Sequence, residues 1–141
     1  MKIVLSTEAA YVRGGAYANA PQKLAEGMYA DIKYSTEADM YREGFLKFDI
    51  SSLAPGSVKY TIFSGDYINM DADRTFDIYL VDPDWKSDTI TYNNRPEGKR
   101  IAEDISFNGK NPLLEVSAFI EEALAKGDKE FSALSSTSFS K

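Results

Sequence analysis

The sequence predicts an all-β domain, built as an antiparallel two-sheet β-sandwich with one short helix near residues 113–126. Three observations carry this. Apolar residues alternate with polar ones at period two over several short runs. Turn residues (Gly, Pro, Asn and Asp) punctuate those runs about every ten residues. Helical spacing occurs in one place, so strands do not alternate with helices as a βαβ fold requires. At 141 residues the chain suits a single domain, 1–141, able to bury a core without disulfide or metal staples. No repeat of fixed period divides it, and the only biased stretch is the Ser-rich end at 135–140.

Taken in order, Lys2 to Leu5 is a brief apolar run and Tyr11-Val12-Arg13 a second, stopped by Gly14-Gly15. Residues 18 to 27 read as a loop because Pro21 and Gly27 break any longer pattern. From Met28 to Tyr34 the alternation is clean, with Met28, Ala30, Ile32 and Tyr34 on one side. Arg42 to Ile50 repeats it: Gly44, Leu46, Phe48 and Ile50 share a face with Arg42 at its mouth, and Glu43, Phe45, Lys47 and Asp49 share the other. Pro55-Gly56 marks a turn. Val58 to Ile68 is rich in β-branched and aromatic residues, and Ser64-Gly65 predicts a bulge or bend. Met70 to Arg74 is an Asp-loaded turn, and Phe76 to Val81 alternates again. Pro83 and Trp85 fall in a loop, Thr89 to Tyr92 in a short strand, Asn93 to Gly98 in a turn, and Ile101 to Phe107 in another strand. Leu113, Val116, Ile120 and Leu124 recur at helical steps, and Gly127 supplies the stop. Lys129 to Ser138 closes the series as a strand.

Composition excludes several functions. The chain has 16 Lys+Arg against 22 Asp+Glu and a formal charge of −6, which opposes binding to a nucleic-acid backbone. It has no Cys, hence no disulfide, zinc ribbon or thiol nucleophile, and no His, hence neither the usual near-neutral general base nor the commonest transition-metal ligand. No apolar stretch approaches the roughly 18 residues of a spanning helix, so membrane insertion is not expected. The run Met1–Leu5 is too short for a secretory signal, so an exported protein would carry its signal outside this chain. Ser135, Ser136 and Ser138 have no His to activate them, and Gly14-Gly15 lacks the Lys and spacing of a phosphate loop. Nothing reads as an active site, so no enzymatic activity is expected.

Three segments together resemble one family. They are Ala10-Tyr11-Val12-Arg13-Gly14-Gly15-Ala16-Tyr17-Ala18-Asn19, then Tyr41-Arg42-Glu43-Gly44-Phe45-Leu46-Lys47-Phe48-Asp49-Ile50-Ser51, then Trp85 with Thr89-Ile90-Thr91-Tyr92-Asn93-Asn94-Arg95-Pro96. In order and position they look like the DNRLRE domain, a disaggregatase-related family similar to polyuronate-binding carbohydrate-binding modules. Two departures are the long loop from Ala20 to Gly27 and Tyr92 in place of the usual Trp. The resemblance implies a jelly-roll-like sandwich, secreted or displayed on the cell surface, appended to polysaccharide-degrading enzymes and not itself catalytic. It also implies one further strand beyond Ser138, whereas the sequence ends at Lys141. A sheet short of that strand would leave a neighbour open to a strand from another molecule. The function expected is therefore polysaccharide binding, of an acidic glycan such as a polyuronate. The alternative is a surface or filament subunit assembling by strand complementation, with a neighbouring subunit rather than a linked catalytic domain as partner.

The candidate carbohydrate-binding residues are Arg13, Lys33, Arg42, Lys47 and Tyr29, with Lys23 nearby. The resemblance places a positive surface on the early strands, and a guanidinium can hold a uronate carboxylate through two parallel bonds. The plain alternative is a solvated strand face of mixed charge, because the first fifty residues hold 6 basic and 7 acidic side chains. Tyr17, Tyr29 and Tyr79 are candidate platforms for the apolar face of a sugar ring, although aromatics also build β cores. Trp85, beside Pro83, reads as packing. Asp71, Asp73, Asp82, Asp84 and Asp88 crowd two loops. A structural calcium ion held by oxygen ligands is one explanation and ordinary turn chemistry the other. No other cofactor is expected.

Overall fold

The computed structural model describes residues 2–22, 32–64, 75–106 and 113–137. Among these residues seven strands and one α-helix are formed, so the all-β class holds. Strands β1 (Ser6–Arg13), β2 (Arg42–Asp49), β4 (Thr75–Val81), β5 (Gly98–Ser106) and β7 (Glu130–Thr137) make one antiparallel sheet in the order β1-β2-β7-β4-β5. Strands β3 (Ile62–Ser64) and β6 (Leu113–Glu115) form a separate antiparallel ladder, and α1 spans Ser117–Ala125. No helix among the described residues is long and apolar enough to cross a membrane.

Both faces of the large sheet are covered, so its central strands are buried on both sides, with polar residues such as Glu43, Lys47, Asp77 and Ser132 on one of them. On one face Phe48 and Leu80 meet Ile50, Phe131 and the buried face of α1, Ile120, Ala123 and Leu124. Leu114 of β6 packs back onto Phe76, Ile78 and Ala133 of the same face. On the other face Ala10, Val12, Phe45 and Leu134 are closed over by the long loop between β4 and β5, through Trp85 and Ile90. Trp85 is buried and meets Phe45 edge-on at 5.7 Å, so the sequence-based assignment of Trp85 to packing holds.

Four sequence expectations shift. Lys2–Leu5 is not a strand; β1 begins at Ser6 and runs unbroken to Arg13. Thr89–Tyr92 is a turn rather than a strand, closed by Ile90 N–H to Lys86 O at 2.9 Å. The helix starts at Ser117, not Leu113, because Leu113–Glu115 is paired with β3 and Val116 N–H donates to Thr61 O at 2.9 Å. A strand partner outweighs the helical spacing of two residues. The strand expected over Ile101–Phe107 starts three residues earlier, at Gly98. The helix stop is as expected: Gly127 N–H bonds to Leu124 O and Asp128 N–H to Ala123 O, a Schellman closure. β7 is central and paired on both sides, with β2 and with β4. The strand expected at Met28–Tyr34 is described only at its end, where Lys33 bridges Arg42; the Asp-loaded turn at 70–74 lies outside the described residues.

Candidate functional site

Three of the cationic candidates meet at one end of the β1–β2 pair. Arg13 and Arg42 are register partners across the strands. Lys33 joins by a backbone bridge, its N–H donating to Arg42 O at 3.1 Å and its C=O accepting from Arg42 N–H at 3.0 Å. A tight turn then sets the side chains. Gly15, at φ +58°, opens a 3-10 turn over Gly15–Tyr17, and the Ala16 N–H is held by Asp39 Oδ1 at 2.6 Å. The same segment of chain fixes Arg13, whose Nε donates to Asp39 O at 3.0 Å.

Both guanidiniums lie over tyrosine rings, Arg13 at stacking distance and Arg42 farther off. Arg13 lies 3.7 Å from the centre of the Tyr17 ring and Arg42 lies 5.5 Å from that of Tyr11. Arg13 has Nε on Asp39 O and Nη2 toward Met40 Sδ at 3.8 Å, which leaves its Nη1 for an in-plane acceptor such as a carboxylate, while the Arg42 Nε is buried. Arg13 Nη1 and Lys33 Nζ make no ion pair among the described residues. Lys33 and Tyr17 are exposed, and Arg13 and Arg42 are half-buried. The Asp39 carboxylate is engaged by the Ala16 amide. The arrangement can hold an extended anion by charge and its sugar rings by the exposed tyrosine.

Lys47 does not belong to this surface, and the sequence-based expectation for it is corrected. Its residue exposure is 0%. Its Nζ pairs with Glu8 Oε2 at 3.1 Å, donates to the Trp85 carbonyl, and lies 4.5 Å from the centre of the Trp85 ring. Period two puts Lys47 on the face of Glu43 and Phe45, and that face is enclosed by the β4–β5 loop. Tyr29 and Lys23 lie outside the described residues.

A second constellation on that enclosed face had no sequence signal beyond alternation. Glu43, buried, pairs with Arg95 Nε at 2.7 Å and accepts from Tyr41 OH at 2.8 Å. The Ser136 hydroxyl lies 2.8 Å from Tyr41 OH and 3.3 Å from Glu43 Oε2. Burial pushes the Tyr41 phenol well above its usual range; the Ser136 bond opposes this and the Glu43 charge adds to it. Tyr41 therefore remains a hydrogen donor. Arg95 stacks 3.7 Å from the Tyr92 ring centre, and Tyr92 meets Tyr41 edge-on at 6.3 Å. These residues come from three distant segments, so only the fold could join them.

Of the loop acids, Asp82 serves a turn: its Oδ1 accepts the Asp84 N–H at 3.0 Å, an Asx turn, and a cleft of about 360 Å³ opens there between Asp82, Lys86, Asn94 and Pro96. The Asn94 amide is engaged at both ends, accepting from Thr91 N–H and donating to Thr89 O. Asp71 and Asp73 lie outside the described residues, and no group of three acids among the described ones is placed to hold a metal ion.

No curated protein matches the chain. Its sequence matches the carbohydrate-binding module family 96 pattern over residues 2–140, essentially its whole length. A β-rich module with an exposed face of arginine, lysine and tyrosine, and with that match end to end, belongs to carbohydrate-binding module family 96.

Proposed function

We propose that this module tethers its protein to an extracellular acidic polysaccharide of the polyuronate type, gripping it at Arg13, Lys33 and Arg42. The observation that supports the reading is the convergence of three cations, two of them over tyrosine rings, at one end of the β1–β2 pair. Uronate carboxylates would meet the guanidinium edges and the ammonium, and Tyr17 would lie against the apolar side of a ring. Each exposed contact is weak, so grip along a repeating polymer comes from many contacts and many modules.

Affinity electrophoresis tests this in gels cast with alginate, polygalacturonate or a neutral glucan. The chain is expected to be retarded by the acidic polymers. The double variant Arg13→Ala/Lys33→Ala is expected to bind about tenfold more weakly, with little change in melting temperature. No retardation by either polyuronate, or equal retardation of the double variant, would overturn the assignment.

A further inference from the structure

On the same face of the sheet as Glu43 and Lys47, toward its β5 edge, a second set of charged and polar groups is loosely joined. Asp77 of β4 has a side chain only 7% exposed. Its Oδ1 accepts the Asp104 N–H at 3.0 Å. Its Oδ2 has only distant neighbours: Tyr79 OH at 3.5 Å and Arg100 Nη1 at 3.8 Å. Charge-assisted bonds to a carboxylate normally close to about 2.7–2.9 Å, and buried acids are seldom left short of them. Arg100 is half exposed (52%), and its other near acid, Glu103, stands at 3.5 Å, so its guanidinium is not locked in a fork by either carboxylate.

The backbone is shaped to present these groups. The β4–β5 register slips between Phe76 and Ile78 and again between Ile78 and Tyr79. Asp104 sits at φ +53°, rare for a residue with a side chain, and this turns its N–H onto Asp77. Tyr79 stays a protonated donor, because burial and then the charge of Asp77 hold its phenol above the usual range. The result is a carboxylate acceptor, a guanidinium donor and a phenol within one reach, Arg100 half exposed, Tyr79 partly covered and Asp77 buried beneath them.

We propose that Asp77, Tyr79 and Arg100 form a second carbohydrate contact, for an uncharged pyranose carrying two adjacent hydroxyls. One hydroxyl donates to Asp77 Oδ2, the neighbouring oxygen accepts from Arg100, and Tyr79 flanks the ring. A uronate would bring its own carboxylate against Asp77 and Glu103, so charge selects a neutral sugar here and an acidic one at Arg13 and Arg42. The two contacts lie on opposite faces and toward opposite edges of the sheet, so one module could bridge two glycan chains. The proposal rests on the carbohydrate-binding reading but not on its acidic ligand.

Amide chemical shifts of the full chain, titrated separately with cellohexaose, mannohexaose and an alginate hexamer, test it. At least one neutral hexamer at millimolar concentration is expected to move Asp77, Tyr79, Arg100 and Asp104. Arg100→Ala, a half-exposed site, is expected to weaken that binding about tenfold while leaving retardation by alginate unchanged. Asp77→Asn should weaken it similarly, with the melting temperature recorded alongside. Silence with both neutral hexamers, shifts confined to the Arg13–Arg42 end, or undiminished binding by Arg100→Ala would each overturn the proposal. Loss of alginate binding with neutral binding intact would sink the polyuronate assignment alone.

Discussion

Lys47 shows how a charged residue can be structural. Its stem passes through the sheet interior beside Phe45, and its ammonium reaches Glu8 and the Trp85 carbonyl. Glu8 in turn accepts the Ser87 N–H at 2.8 Å, so this one pair ties β1 and β2 to the covering loop. Partial burial alone would raise the Glu8 pKa, but the Ser87 amide and then Lys47 outweigh it and hold the carboxyl below its usual value. A folded-state pKa below the unfolded one stabilises the fold above the ordinary glutamate range, and that contribution disappears as pH falls through the folded value. Glu8→Gln should therefore be about 1–3 kcal/mol less stable at neutral pH, with the deficit shrinking in acid. Urea unfolding at a series of pH values checks this; a deficit independent of pH would remove the ionised Glu8 from the account. Asp49 and Glu115, also held low by bonds from Ser51 and Ser117, keep their share in both proteins.

Among the elements, the turn after β1 matters most to the site. An added Cβ at Gly15 would fall 1.9 Å from Asp39 Oδ1, and the positive φ there suits glycine. Gly15→Ala should cost about 1–2 kcal/mol and displace Asp39, and with it the bond that fixes Arg13. Retardation by alginate should fall along with the melting temperature. Gly56, at φ +81° with open space around it, is the control: Gly56→Ala should lower the melting temperature without touching binding. Binding that survives Gly15→Ala would show that the turn does not aim Arg13. Glu121 plays a comparable role at the far end, its carboxylate accepting the Gly56 and Val58 N–H groups at 2.8 Å each and tying that loop to α1.

For the molecule as a whole, a formal charge of −6 means that polyanion binding must be local, carried by the cationic end of the β1–β2 pair against the overall field. Exposed contacts are screened over about 10 Å at 0.1 M salt, so retardation by alginate should decline steeply as salt is added. Binding of a neutral hexamer at the β4–β5 end should change little over the same range. A flat salt profile for alginate would mean that charge is not what holds it. The two sheet faces also divide labour: one is packed by α1 and the β3–β6 ladder, the other by a loop pinned through Lys47, Trp85 and Ser132, with Trp85 Nε1 donating to Ser132 Oγ at 2.7 Å.

Local pattern was enough for the strands. Alternation located β2 and β4 within a residue or two, because a strand packed on a sheet face imprints period two on its own sequence. Arg13, Lys33 and Arg42 are candidates through the family resemblance, which implies a positive surface on the early strands; alternation alone does not single them out. Pairing was not legible. That Leu113–Glu115 joins β3 instead of α1, and that Lys47 is sealed while Lys33 is open, depends on which segment lies alongside, and a chain read alone carries no record of its neighbours. The same holds for Asp77 with Arg100 and for Glu43 with Arg95, whose partners are set by sheet order and by the loop folded over one face. Sequence fixes which residues share a side of a strand; only the closed fold decides whether that side meets water or protein, because burial is a property of the surroundings.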